Sequence, residues 1–194
     1  MPTFTIGARI ANPPESLLAK YTRKEKDFFY GYASFVQRLL NSSRIKDRLR
    51  HLIETESIDP GRSIDLRIMV FPARPLTGRP RSILHGSFNQ DTSQISLYPL
   101  KMPRDWVRSE GFGMFKTAVT DLSASQLKTL REVLVSAITT LIHEILHVKF
   151  ENRQYSRYAE EAIVRKLERK YAEEWFESLS LDYPSLLPSQ PMFG

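Results

Sequence analysis

Two histidines four residues apart enclose a glutamate in the segment His143-Glu144-Ile145-Leu146-His147. Residues i and i+4 of an α-helix lie on the same face, so both imidazoles can bind one tetrahedral zinc ion. Glu144 lies about 100° further round the helix, where it can reach a metal-bound water as a general base without binding the metal itself. The spacing therefore predicts a hydrolytic zinc site in which His143 and His147 are ligands and Glu144 is catalytic.

The alternative interpretation is a pair of ordinary histidines on a helix surface. The flanking sequence argues against it, because the segment from Ser123 to about Phe150 is apolar almost all round in its middle and contains no glycine or proline. A helix of this composition is usually buried between two layers. Two neighbouring buried imidazoles need polar partners, and a metal ion supplies them. Ser123 and Gln126 have the spacing of a capping box, which predicts where this helix begins.

The elements around this helix predict an α+β chain. Apolar residues at three- and four-residue spacing favour helices over about 15–57, with a break at Asn41-Ser42-Ser43, and a final helix over about 156–179. Residues 1–14 are expected to form a short strand or arm. Alternating apolar residues between turn signals predict three strands, the last two as a hairpin: Ile64–Phe71, Ile83–Phe88 and Ile95–Tyr98.

The composition is that of a globular protein. Its 194 residues fit a single domain over 1–194, with an N-terminal arm at 1–14 and an extended tail at 183–194. Hydrophobic residues at 41% and charged residues at 26% exclude a fully disordered chain. No apolar run approaches the roughly 20 residues of a membrane span, and the start lacks a secretory pattern, so we expect a cytoplasmic protein with no membrane partner.

Cysteine is absent, which excludes disulfides, thiol catalysis and thiolate metal sites. A metal must therefore be held by histidine, aspartate, glutamate or backbone oxygen. The net charge of +6 is uneven: residues 1–120 hold 19 basic and 11 acidic side chains (+8), and residues 121–194 hold 9 and 11 (−2). A basic N-terminal part is compatible with binding nucleic acid, but no nucleic-acid motif accompanies it, and a solvated surface is therefore the preferred explanation.

With these features the chain resembles the zincin metallopeptidases. In that family a hairpin precedes the active-site helix, and its first strand forms the edge of the substrate cleft; Ile83-Leu-His-Gly-Ser-Phe88 followed by Gln94–Tyr98 lies where this hairpin is expected. The resemblance implies a zincin-like fold. N-terminal helices and a small three-stranded mixed sheet would pack on a long buried active-site helix, and a C-terminal helix carrying a ligand glutamate would follow.

The third ligand decides the subclass that the chain resembles. Metzincins continue the motif with glycine and histidine, but Phe150 and Arg153 stand at those positions, and no histidine follows His147 as an SprT-like protease would need. Glu160 and Glu161, 13 and 14 residues after His147, open the next predicted helix.

That arrangement resembles the gluzincins, in which a glutamate on the following helix completes the site. Glu161, followed by Ala162, is the favoured ligand and Glu160 the alternative; the other of the two would then be a solvated residue at a helix start. Gluzincins often carry aspartate four residues after the ligand to orient a histidine, and Arg165 occupies that position here. The partners of the histidines must then come from elsewhere.

The resemblance implies a small zinc metallopeptidase with one Zn²⁺ ion, acting on a peptide or protein substrate. Glu144 would assist attack of a zinc-bound water, and the strand at 83–88 would bind an extended peptide by strand addition. By position alone, Tyr155, Tyr158 and His85 are candidates for contacting the substrate or its oxyanion. The apolar tail at 183–194 is expected to pack back on the body near the cleft and limit access, or else to dock on the outer surface or pair with another subunit.

Two other classes of function stay open at this point. The first is a nucleic-acid-associated protein, in which the basic N-terminal part binds DNA or RNA and the zinc core is structural or acts on bound proteins. The second is an inert zincin scaffold used for protein contacts. Glu144 argues against the second class, because a purely structural zinc site does not need a general base.

Overall fold

The computed structural model describes residues 5–59, 63–73, 85–151 and 155–180. These ranges contain six α-helices: α1 (Glu15–Leu18), α2 (Arg23–Asn41), α3 (Ser43–Thr55), α4 (Arg104–Ser109), α5 (Ala124–Val148) and α6 (Arg157–Ser180). They also contain four strands: β1 (Thr5–Ala11), β2 (Ser63–Met69), β3 (Gly86–Asn89) and β4 (Gln94–Leu97). Ile83 and the tail at 183–194, both part of the predictions above, lie outside these ranges. No described helix has the length and apolar character that a membrane span requires.

The strands form one mixed sheet in the order β1-β2-β4-β3, so the chain is α+β as predicted. The prediction of three strands is wrong, since the N-terminal segment contributes a fourth. β1 pairs in parallel with β2 from Thr5↔Ser63 to Ala11↔Met69, β2 pairs in parallel with β4, and β3 pairs antiparallel to β4. Local sequence leaves β1 ambiguous between strand and arm. Its partner strand, β2, lies more than fifty residues away in the sequence. Pairing at that separation cannot be recognised from the seven residues of β1 alone.

The two edges of the sheet differ in whether side chains cover their backbone groups. On the outer edge of β1, the backbone amide of Ala8 donates to Asn41 Oδ1 at 3.1 Å, and its carbonyl accepts from Asn41 Nδ2 at 2.9 Å and Gln37 Nε2 at 3.2 Å. Side chains of α2 thus cover an edge that could otherwise pair with another strand. At the opposite edge, no strand within the described ranges pairs with the outer side of β3.

Helix α5 runs through the centre of the protein, as its sequence predicts. Its capping box is formed: Gln126 N donates to Ser123 Oγ at 3.2 Å, and Ser123 N donates to Gln126 Oε1 at 2.9 Å. Burial of aliphatic side chains on several faces holds the helix in place. Those at most 1% exposed are Leu130, Val133, Leu134, Ile138, Leu141, Ile142, Ile145 and Leu146. The predicted break before α3 is also present, because Ser42 caps that helix through Ile45 N.

A buried polar cluster anchors α6 to the rest of the protein. Glu56, just after α3, accepts hydrogen bonds from Tyr171 on α6 and from Lys149 at the end of α5, each at 2.5 Å. Burial by itself would raise the pKa of Glu56, but these two donors outweigh it and leave the pKa below its ordinary value. Since Tyr171 and Glu56 are only 1% and 8% exposed, the cluster sets how α6 packs against α5.

Candidate metal centre

The structure brings together the two histidines of α5 and a glutamate of α6. The nearest ligand atoms of His143, His147 and Glu161 all lie within 4.8 Å of one another. The two Nε2 atoms are 3.1 Å apart, and Glu161 Oε1 and Oε2 lie 3.6 Å from Nε2 of His147 and 3.8 Å from Nε2 of His143. Three donor atoms from two helices therefore converge on one point.

These distances fit a tetrahedral metal ion. Two donors bound to one zinc at about 2.0–2.1 Å are separated by about 3.3 Å. The two Nε2 atoms, 3.1 Å apart, lie close to that value, and each oxygen of Glu161 lies slightly beyond it, at 3.6 or 3.8 Å from one of them. The arrangement is also unfavourable without a cation, because the two imidazole lone pairs would face each other and a carboxylate. A dication at this point would satisfy all three donors.

The far nitrogen of each imidazole binds a further carboxylate. His143 Nδ1 lies 2.8 Å from Glu168 Oε2, and His147 Nδ1 lies 2.6 Å from Glu160 Oε1. An imidazole that donates from Nδ1 to a carboxylate keeps its lone pair on Nε2, so both lone pairs point towards Glu161. The geometry thus brings Glu161 to the two Nε2 atoms and places Glu160 against the far nitrogen of His147.

The local charge is strongly negative. Burial lowers the pKa of His143, but its hydrogen bond to Glu168 and the charges of Glu144, Glu168 and Glu161 outweigh this effect and raise the pKa above its ordinary value. The same carboxylates that favour a proton on this imidazole favour a metal cation beside it. The centre therefore attracts positive charge even before its ligand geometry is considered.

Glu144 lies beside this centre with a perturbed carboxyl group. It is 6% exposed, and burial raises its pKa to about 7, partly opposed by attraction to His143 and by a hydrogen bond from the backbone amide of Phe88. A carboxyl group with a pKa near neutrality both accepts and releases a proton readily at physiological pH. This is the property that a general base in hydrolysis requires.

Glycine at position 86 lets β3 approach Glu144 closely. A Cβ atom there would lie 2.4 Å from Thr140 Cγ2 and 2.7 Å from Glu144 Oε1, distances that real Cβ atoms do not show. Any other residue would force the side chains of Thr140 and Glu144, or the strand itself, to shift. The absence of a side chain thus allows the amide of Phe88 to reach the carboxylate.

A cleft of about 1240 Å³ opens over the centre, with β3 on one side and α5 and α6 on the other. His85 and Tyr155, two of the three residues predicted to contact substrate, line it. Tyr155 is 45% exposed and packs edge-on against Phe150, with ring centroids 5.6 Å apart. Tyr158, 87% exposed, is not among the lining residues, so the structure does not bring it to the cleft.

Sequence reasoning missed two residues of this site, Glu168 and Gly86. Glu168 stands seven residues after Glu161, two turns along the same helix face, and that spacing could have identified it as a partner for a histidine. Arg165, which replaces the expected aspartate, is exposed and its Nε lies 3.7 Å from Glu161 Oε2. Gly86 carried no recognisable signal, because its role depends on a helix more than fifty residues away.

Comparisons with protein-family models, curated proteins and solved structures give no match.

Proposed function

We propose that this protein is a zinc-dependent metallopeptidase in which His143, His147 and Glu161 bind the metal and Glu144 is the general base. One observation carries the proposal. Two imidazole nitrogens and a carboxylate converge on one point, and a buried carboxyl group with a pKa of about 7 lies next to them in an open cleft. Two histidines and one glutamate form a known donor set for catalytic zinc, which keeps a fourth position for water or substrate.

The metal and the protein side chains would have separate roles in the reaction. Bound zinc would polarise the scissile carbonyl and make water a better nucleophile. Glu144 accepts a proton from the attacking water and passes it to the leaving amine, so that one water is consumed as one C–N bond breaks. Glu160 and Glu168 hold the imidazoles in the orientation that binding requires. His85 and Tyr155 are the remaining candidates for stabilising the oxyanion.

The outer edge of β3 suits an extended peptide. The carbonyl of His85 accepts from Tyr98 N at 2.8 Å on the β4 side. By alternation, Gly86 and Phe88 direct their backbone groups outwards, and the amide of Phe88 does reach Glu144. A peptide added beside β3 would therefore lie next to the base. The hairpin ahead of α5 and the glutamates of α6 likewise support a zincin-like arrangement of gluzincin type.

The test combines metal content with hydrolysis. Protein purified without added metal and then loaded with zinc is expected to hold one zinc per chain, with loss in His143→Ala and in Glu161→Ala. Glu144→Gln should keep zinc and lose hydrolysis of a broad peptide mixture, because Gln cannot accept the proton. Stoichiometric zinc in His143→Ala, or wild-type hydrolysis by Glu144→Gln, would refute the proposal. Glu173→Gln, an exposed change on α6 outside the residues that line the cleft, is the matched control.

The nucleic-acid alternative has no specific observation in its favour. Arg9 and Arg67 bind Asp65, and Arg104 and Arg108 bind the buried Glu25. These four arginines are therefore paired within the protein, although their side chains stay partly exposed. Nucleic-acid binding therefore stays a prediction. It would be supported if the logarithm of the affinity for DNA or RNA fell linearly with the logarithm of the salt concentration.

A further inference from the structure

Arg165 places a cation next to Glu161, the proposed third ligand. The two residues stand one turn apart on α6, so their side chains share a helix face. The Nε atom of Arg165 lies 3.7 Å from Glu161 Oε2, and the arginine side chain is 72% exposed. Arg165 is also one of the residues that line the cleft. A cation on a long side chain therefore stands at the wall of the cleft, beside the metal centre.

The ion pair between these residues should weaken when a metal binds. Oε2, the oxygen paired with Arg165, also faces His143 Nε2 at 3.8 Å, so it belongs to the proposed donor set. A dication held by Glu161 would neutralise much of the negative charge of this carboxylate, and its attraction for Arg165 would fall. Metal binding would thus make the guanidinium group available to another anion within its reach.

The open position of the centre is within that reach. The fourth position of a tetrahedral zinc site lies about 3.3 Å from each of the other donors. Because Arg165 Nε is 3.7 Å from one of these donors, it lies at most about 7 Å from the open position. An exposed side chain can rotate among its rotamers, which allows the terminal nitrogens to cover this distance.

The charge balance of the centre favours a cation at this place. Glu160 and Glu168 contact the far nitrogens of the two imidazoles, and Glu161 faces the near ones. These three carboxylates bring more negative charge than the two positive charges of zinc can balance. The negative charge that develops during attack on a carbonyl would then be unfavourable without a further cation. The guanidinium of Arg165 stays protonated at any physiological pH and supplies that charge.

We propose that Arg165 is a catalytic residue that stabilises the negative charge on the scissile carbonyl oxygen as water attacks. The inference rests on the proposed metallopeptidase function. Water adds to the carbonyl carbon, the C=O electron pair moves to the oxygen that faces Arg165, and Glu144 takes a proton from the water. The electron pair then re-forms the C=O bond as the C–N bond breaks and the proton passes to the leaving amine.

A phosphinic peptide, which is a stable anionic mimic of the tetrahedral state, separates this role from ordinary substrate binding. It is built on a sequence that the wild type cleaves, and its affinity for the zinc-loaded full chain is measured by calorimetry. Arg165→Gln should bind it at least about tenfold more weakly and lower kcat by a similar factor, with zinc retained and KM little changed. Arg165→Lys keeps the charge and should recover part of both. Arg169→Gln, an exposed change on α6 outside the residues that line the cleft, should match the wild type.

Binding of the uncleaved peptide provides the comparison with the ground state. It is measured in zinc-loaded Glu144→Gln, where adding Arg165→Gln should leave the affinity unchanged. Equal losses of affinity for the uncleaved and the phosphinic peptide would overturn the inference, since Arg165 would then be an ordinary substrate contact. Loss of zinc from Arg165→Gln, or a wild-type kcat in this variant, would also overturn it while leaving the metallopeptidase function intact. If the zinc-loaded wild type cleaves nothing in a broad peptide mixture, the proposed function itself is wrong, and this inference falls with it.

Discussion

Replacing Glu144 with Gln should stabilise the metal-free protein at alkaline pH. In the folded protein burial raises the pKa of Glu144 to about 7 from an ordinary value of 4.5. The folded state therefore binds a proton that the unfolded state has already released. Stability contributed by this proton is fully present below pH 4.5 and is lost as the pH rises to 7, where the buried carboxylate becomes charged.

The size of the effect follows from the two pKa values. Their difference, at about 1.4 kcal/mol per pH unit, gives an upper limit of about 3 kcal/mol at pH 8. Gln is almost isosteric, carries no charge, and keeps an oxygen that can accept from the amide of Phe88. The attraction between a charged Glu144 and His143 is already included in the pKa of about 7, so it is not subtracted again. We expect Glu144→Gln to be more stable than the wild type by about 1–3 kcal/mol at pH 8 and by little at pH 4.5.

Urea unfolding of chelator-treated protein at several pH values measures the difference in unfolding free energy between Glu144→Gln and the wild type. Glu132→Gln, on the exposed face of the same helix, is the control. Added zinc should reduce this difference in stability, since a nearby dication favours the charged carboxylate of the wild type. A Glu144→Gln protein no more stable than the wild type at pH 8, in the absence of metal, would refute the reasoning. A gain of the same size in Glu132→Gln would assign the effect to overall charge instead.

Three further changes test the geometry of the site. Gly86→Ala should lower peptidase kcat at least about tenfold, because the new methyl group would collide with Thr140 and Glu144 and disturb the position of the base. Gly7→Ala, where a Cβ meets nothing within 4 Å, should leave kcat unchanged. Equal kcat values for the two variants would contradict the role of Gly86 in positioning β3. Glu168→Ala should weaken zinc binding about 10–100-fold in competition with a chelator, and unchanged affinity would show that His143 is oriented otherwise. Tyr171→Phe should cost about 1–3 kcal/mol of unfolding free energy, and an unaltered urea midpoint would contradict the anchoring of α6.

Much of the fold could be predicted because its signals are local. The capping box at Ser123 and the apolar faces of α5 lie within a few residues of one another, so helix periodicity exposes them. The break at Ser42 is likewise marked by a capping side chain. Strand β1 could not be recognised with the same security, since its identity depends on parallel pairing with β2 across a large sequence separation.

The sequence by itself determined that His143 and His147 share a helix face with Glu144 next to the first of them, because an i, i+4 spacing has that consequence in any α-helix. It also limited the predicted third ligand to Glu160 or Glu161. Only the tertiary structure shows which of the two lies beside both Nε2 atoms, because one residue along α6 rotates a side chain by about 100°. That rotation carries Glu161 to both Nε2 atoms and Glu160 to the far nitrogen of His147. The close approach at Gly86 also depends on how distant segments pack, which no local sequence pattern determines.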